Sequence, residues 1–362
     1  MPDPDIDARA HNTSALYDTK LIIWGGTDYQ DYFNDGAIYD IEKGRWQKMA
    51  EPELERRVGH SSVLHEGKLI IWGGCSRPPA SGIWFSDGAI YDIQKDRWED
   101  MPEPDIAGRA SPVSILHDNK LVIWGGEGRE GVLSDGAIYD IKKREWEEIP
   151  EADIVGRGSP SFHIFANKLI IWGGGGGIIG PQDDGAIYDI QKGEWDEMAE
   201  AEIDGRYCHT SVLYDGKLIV WGGEGPPGVY HDDGAIYDIK SDRWKEISEV
   251  DIDGRADYTS ILHDGKIIIW GGRGPSGPYN DGAIYDIKKD QWKLIPEAPI
   301  EGREFHTAVI WDNKLIVWGG LGESGDHLSD GAIYDLKEQK WVEMPEPDIE
   351  GRCNHTFILF KG

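Results

Sequence analysis

Eight arginines fall at one point of a repeating pattern: Arg9, Arg57, Arg109, Arg157, Arg206, Arg255, Arg303 and Arg352. A guanidinium presents its donors in a planar fork that matches a carboxylate, so a convergent set of them could capture an acidic peptide or a carboxylate ligand. The same spacing lets each arginine pair with a carboxylate of its own repeat, the Asp of the string DGAIYD for instance, and tie neighbouring repeats together. Structural ion-pair networks of that kind mimic sites. Three residues further on stand Asn12, His60, Pro112, Pro160, His209, Tyr258, His306 and His355. Several imidazoles brought together could ligate a metal. Two prolines interrupt the series, however, and no known metal-ligand spacing supports it, so no metal is expected. The glycine run 173–177 follows a strand-like segment, but no helix-forming segment follows it, and a phosphate-binding loop needs that helix N-terminus. Acidic connections such as residues 346–350 lack the dense alternating oxygen ligands of a calcium loop. No catalytic residue and no cofactor is expected.

The segment from Cys75 to Ser86 differs from its counterparts in length and chemistry, with Arg77, Pro78, Pro79, Ile83, Trp84 and Phe85. Of the 16 tryptophans, only Trp84 and Trp311 lie outside repeat positions. Exposed aromatic anchors carry much of the energy of an interface. The alternative is that the loop folds back and buries its aromatics. The candidate ligand-binding set is therefore Arg77, Ile83, Trp84 and Phe85, with Arg57, Arg109, Arg206 and Arg303 as polar contacts.

The elements that must position these residues are set by the repeat. Trp-Gly-Gly begins at Trp24, Trp72, Trp124, Trp172, Trp221, Trp270 and Trp318, and each copy is followed by a variable loop, then DGAIYD, then a second Trp. Each unit reads as four strands. In the fifth, strand a runs from about Cys208 to Tyr214, and Asp215-Gly216 supplies a tight turn. Strand b, Lys217 to Trp221, is an almost unbroken apolar run, as a strand covered on both faces requires. Strand c carries Gly234-Ala235-Ile236-Tyr237 and strand d carries Trp244. A four-stranded sheet with two faces to bury cannot do so alone, and radial packing of such sheets covers both. Strands alternate in direction, so the b–c loops and d–a connections share one end of each unit, and function usually resides in loops of that variability.

Four apolar residues, a Gly-Gly pair and then a spaced Tyr and Trp, here LIIWGG…IYD…W, resemble the kelch motif, whose period is near fifty residues. The match runs through essentially the whole chain. The resemblance implies an all-β, seven-bladed propeller with four antiparallel strands per blade, strand a innermost, as a single domain over residues 1–362. In ubiquitin-ligase adaptors with kelch domains, arginines on the b–c loop face bind acidic ligands, which the resemblance extends to the arginines above. The strand-a pattern occurs eight times, at residues 9–17 and again at 352–360. Such propellers close with a C-terminal strand, so that segment is expected on the inner edge of the first blade or beside the N-terminal copy.

Composition narrows the function. Lys plus Arg number 37 against 67 Asp plus Glu, a formal charge of -30. Nucleic acid or an anionic membrane is excluded as a partner, because either is bound by neutralising phosphate with basic side chains. A protein or peptide partner that is basic or docks through a carboxylate remains. Three widely spaced cysteines suggest neither a disulfide framework nor a zinc site. The opening residues lack the basic and apolar regions of a signal peptide, and no apolar stretch approaches membrane-spanning length. A soluble, cytoplasmic monomer is expected. The leading reading is a binding scaffold rather than an enzyme. The competing readings are a kelch-type oxidase or sugar isomerase, for which no ligand constellation stands out, and an amplified or engineered repeat scaffold with no evolved ligand.

Overall fold

The computed structural model describes residues 4–76, 82–176, 179–345 and 347–355. They form seven four-stranded antiparallel sheets, each in the order a-b-c-d. In the first, strands a to d are Thr13–Tyr17, Lys20–Trp24, Gly36–Asp40 and Arg45–Lys48. In the fifth they are Thr210–Tyr214, Lys217–Trp221, Gly234–Asp238 and Arg243–Glu246. Strand b matches the sequence reading to the residue. Strand a starts two residues later than Cys208, because Cys208 is held in the left-handed region at φ 53° and cannot join a ladder. Asp215 and Gly216, at φ 50° and 73°, make the tight a–b turn with both central residues left-handed.

Two compact units divide the chain: Met1–Ile171 with Ala186–Glu197, and Trp172–Gly185 with Met198–Gly362. In the first unit the b-strand indoles Trp24, Trp72 and Trp124 are fully buried. Each packs on the strand-d indole of the following repeat, Trp24 on Trp98 at 5.5 Å and Trp72 on Trp146 at 5.7 Å between ring centroids. Trp98 leans on Tyr91 of its own strand c and donates its N–H to the Ala50 carbonyl at 2.8 Å. One indole thus fills the space between sheets while its single polar atom is satisfied on the chain that leads into its repeat. The second unit repeats the arrangement with Trp172 on Trp244 and Trp221 on Trp292. Trp318 is only partly buried and lies edge-on to His355 at 4.8 Å.

The edge of the first sheet is held by the N-terminal copy of strand a, Thr13–Tyr17, in full register with strand b. The strand expected at the C-terminus falls mostly on residues 356–362, outside the described residues.

Candidate functional site

Every functional side chain here hangs from the same backbone device. The second glycine of Trp-Gly-Gly, left-handed at φ 97° in Gly74, donates its N–H to the carbonyl of the next repeat's arginine, Arg109, at 2.8 Å. Arg109 N–H in turn donates to the Phe85 carbonyl at 3.1 Å. The arginine's backbone is therefore stitched to the preceding repeat, while its side chain reaches into its own. Arg57 is 0% exposed, and its fork meets Asp87 at 2.8 and 3.1 Å and the Gly73 carbonyl at 3.0 Å. Arg109 pairs with Asp135 at 2.9 Å, Arg206 with Asp233 at 2.9 Å and Arg303 with Asp330 at 2.9 Å, all three fully buried. These aspartates are the first residues of the DGAIYD strings. A guanidinium with no solvent-facing surface and its donors spent on its own repeat has nothing to offer a ligand. Of the two roles open in the sequence, these four side chains take the structural one.

The distinctive loop of the second repeat is pinned at its base. Cys75 and Val58 exchange both backbone hydrogen bonds, at 2.9 and 3.0 Å, and Ser76 N–H donates to the Ile83 carbonyl at 3.0 Å. Trp84 bridges to Cys75, and its carbonyl sits so close to Gly108 that a Cβ there would lie 2.2 Å away. Phe85 is 9% exposed, with its ring 4.2 Å from the Arg57 guanidinium. The expectation of Phe85 as an exposed anchor is corrected by that stacking: it covers the ion pair beneath it. Ile83 is 62% exposed, Trp84 is half-buried, and Arg77 lies outside the described residues.

Trp84 lines a cavity of about 490 Å³ in the first unit. Variable residues from three successive repeats converge on it: His11, Asn12 and Tyr32; His60, Ser62, Cys75 and Trp84; Ser111 and Glu127. His60 is held in place by an edge-on contact with Trp24 at 5.0 Å and by Thr13 Oγ1, 2.7 Å from its Nε2. Burial and then the Arg57 charge push its pKa down to about 3, so it faces the cavity as neutral imidazole. Glu127 is the one carboxylate in the lining.

A charged cluster at the corresponding end of the second unit was not anticipated. Arg273 sits 3.2 Å from Glu224, 3.2 Å from Asp257 and 3.1 Å from Glu304. Burial raises the Glu304 carboxyl, with Arg273 opposing and Asp257 adding to the rise. Beside them, burial and then Asp257 push the Cys208 thiol up to about 12, far from nucleophilic. The signal was present in the position after Trp-Gly-Gly, which reads Thr27, Cys75, Glu127, Gly175, Glu224, Arg273 and Leu321. That column takes six residue types in seven copies, directly after an invariant Trp-Gly-Gly. His306, also expected in this region, is used locally, against Trp270 at 5.0 Å and Thr259 at 3.0 Å.

Over residues 2–162 and 159–362 the chain matches the family model described as the KLHDC2/KLHL20/DRC7 Kelch-repeats domain. The chain belongs to the kelch-repeat family. Its fold class is the seven-bladed kelch β-propeller, all-β, with four antiparallel strands per blade. Kelch propellers commonly serve as protein-interaction scaffolds and are typically not enzymes. No curated protein matches the chain. Among the described residues of this kelch chain, no helix is long and apolar enough to cross a membrane.

Proposed function

We propose that this kelch propeller binds a protein or peptide partner at the b–c loop end of its first unit, in the cavity beside Trp84. The observation that carries this reading is the convergence there of residues that vary between repeats, on a scaffold whose Arg57, Arg109, Arg206 and Arg303 are buried in ion pairs of the fold. The lining suits an extended peptide. It offers neutral hydrogen-bonding groups, two aromatic faces and one carboxylate, Glu127, so the docking segment is uncharged or carries a single cation. The paired guanidinium groups of Arg57, Arg109, Arg206 and Arg303 are not offered to a carboxylate docking group. Trp84 contributes the apolar anchor and Ile83 a flanking contact, with the loop base already ordered so that little entropy is lost on binding.

The test compares proteins co-purifying with the wild-type chain, with Trp84→Ala and with Lys288→Glu, a charge change on a c–d turn. A partner held by the cavity is lost from Trp84→Ala and retained by Lys288→Glu, with affinity for the purified partner falling by about 2 kcal/mol, the usual hot-spot threshold. An unchanged set of partners would discard the site and put binding elsewhere on the chain, whereas no specific partner of the wild-type chain would leave the reading of a repeat scaffold without an evolved ligand.

A further inference from the structure

A second concavity, of about 390 Å³, opens in the second unit at the opposite end of the blades, where the a–b and c–d turns of the sixth and seventh repeats meet. In a chain of charge -30 its lining is basic: Lys266, Lys289, Lys293 and Lys337 stand against Asp264 and Asp286. The repeat shows why these charges are unspent. The residue after the strand-d tryptophan meets a turn residue of the next repeat. Gln47 meets Asp96 at 3.3 Å, and Lys245 meets Asp290 at 2.7 Å. In the next pair along, Lys293 takes the place of Lys245, but the turn position opposite is Gln339 rather than aspartate. Lys293 consequently lacks the ion pair that Lys245 makes, and the Lys337 ammonium acts on Asp335 only through its charge, whereas Lys289 is paired with Asp286 at 3.1 Å. Beneath the ammonium groups the cleft is walled by apolar side chains, Ile284, Leu336 and the half-buried Trp292.

We propose that this cleft binds a small organic anion, its carboxylate or sulfonate meeting Lys293 and Lys337 and its apolar body lying against Ile284, Trp292 and Leu336. The volume falls in the range of small-molecule sites, which pair an apolar lining with a few placed charges. The Lys293 and Lys337 ammonium groups in the lining supply the charge complementarity, and the surrounding acidic surface disfavours anions elsewhere. This site is independent of the peptide cavity proposed above.

The probe is anilinonaphthalene sulfonate, an anionic aromatic whose fluorescence rises in an apolar site, titrated into the full chain. Saturable binding is expected, displaced by octanoate and not by octanol. Gln339→Asp supplies the carboxylate that Lys245 enjoys, and it should weaken binding, as should Lys293→Glu combined with Lys337→Glu, by about tenfold or more. Lys95→Glu, an exposed lysine of the second repeat, should leave binding unchanged, and thermal melts should show all variants folded. The proposal is overturned by any of four results: no saturable binding, wild-type affinity in Gln339→Asp and in the double variant, displacement by octanol as effective as by octanoate, or displacement by an acidic peptide where octanoate fails, which would assign the cleft to a protein partner.

Discussion

Residue identity separates three aromatics that stand close together in the chain or in the repeat. Trp221 is a fully buried wedge between sheets, Phe85 is a lid on a buried ion pair, and Trp84 is half-open to the cavity. Urea unfolding should therefore show Trp221→Ala and Phe85→Ala losing about 3–5 kcal/mol each, the cost of emptying a buried aromatic site, whereas Trp84→Ala stays within about 1 kcal/mol of wild type. Equal losses for Trp84 and Trp221 would place Trp84 in the core and remove it from the site. Arg57 is the second diagnostic residue. Arg57→Ala removes a bidentate pair and a carbonyl contact from a side chain with no exposure, and should cost about 3 kcal/mol or more. Arg57→Lys cannot reproduce the fork and should recover only part of that. A ligand-capturing arginine would behave in the opposite way, with affinity lost and stability kept.

At the scale of elements, the loop of the second repeat owes its position to the strand-a approach of the third. Gly108 packs against the Trp84 carbonyl at a distance no side chain allows. Gly108→Ala should push the loop outward, lowering partner affinity at the Trp84 cavity while the strands of the second and third sheets remain paired. Hydrogen exchange confined to residues around 75–85 and 106–111 would report that outcome, and an unaltered loop with full affinity would refute it. The hairpins themselves were legible because their code is local: DG and HEG or HDN turns, alternating patterns and apolar b strands fix each register without reference to other repeats. The dual attachment of each arginine, backbone to one repeat and side chain to the next, was not legible, since it depends on how two sheets are set against each other.

For the whole molecule, acid sensitivity follows from its buried imidazoles. Burial, chiefly, and then the Arg303 charge depress the His306 pKa from 6.5 to about 3. Above pH 6.5 the ring is neutral folded and unfolded, and its contribution is fully present. As pH falls below 6.5 only the unfolded chain takes up the proton, so stability declines toward the folded pKa, by up to about 1.4 kcal/mol per pH unit for each such group. His60 adds a second, similar term. Chemical denaturation between pH 7 and about 5.5, a range above most carboxylate titration, should show this decline, and it should be shallower in His306→Gln. A slope identical in the variant would mean that His306 protonates freely in the folded state.

What the sequence determined by itself is the repeat and everything written into it: seven four-stranded units, the apolar b strands, the tight a–b turns, and the position of the variable loops. These follow from periodic apolar burial and turn chemistry, which act over a few residues and recur too often to mislead. Only the tertiary structure decided what each recurring polar residue does. Arginine and aspartate lie 26 to 30 positions apart in the chain and meet only when the strands are assembled, and the same spacing would have served a ligand. Nor could sequence alone separate Trp84 from Phe85, adjacent residues of one loop. Successive residues of an extended segment point to opposite sides, and only the placement of Arg57 and Gly108 determines which side is interior.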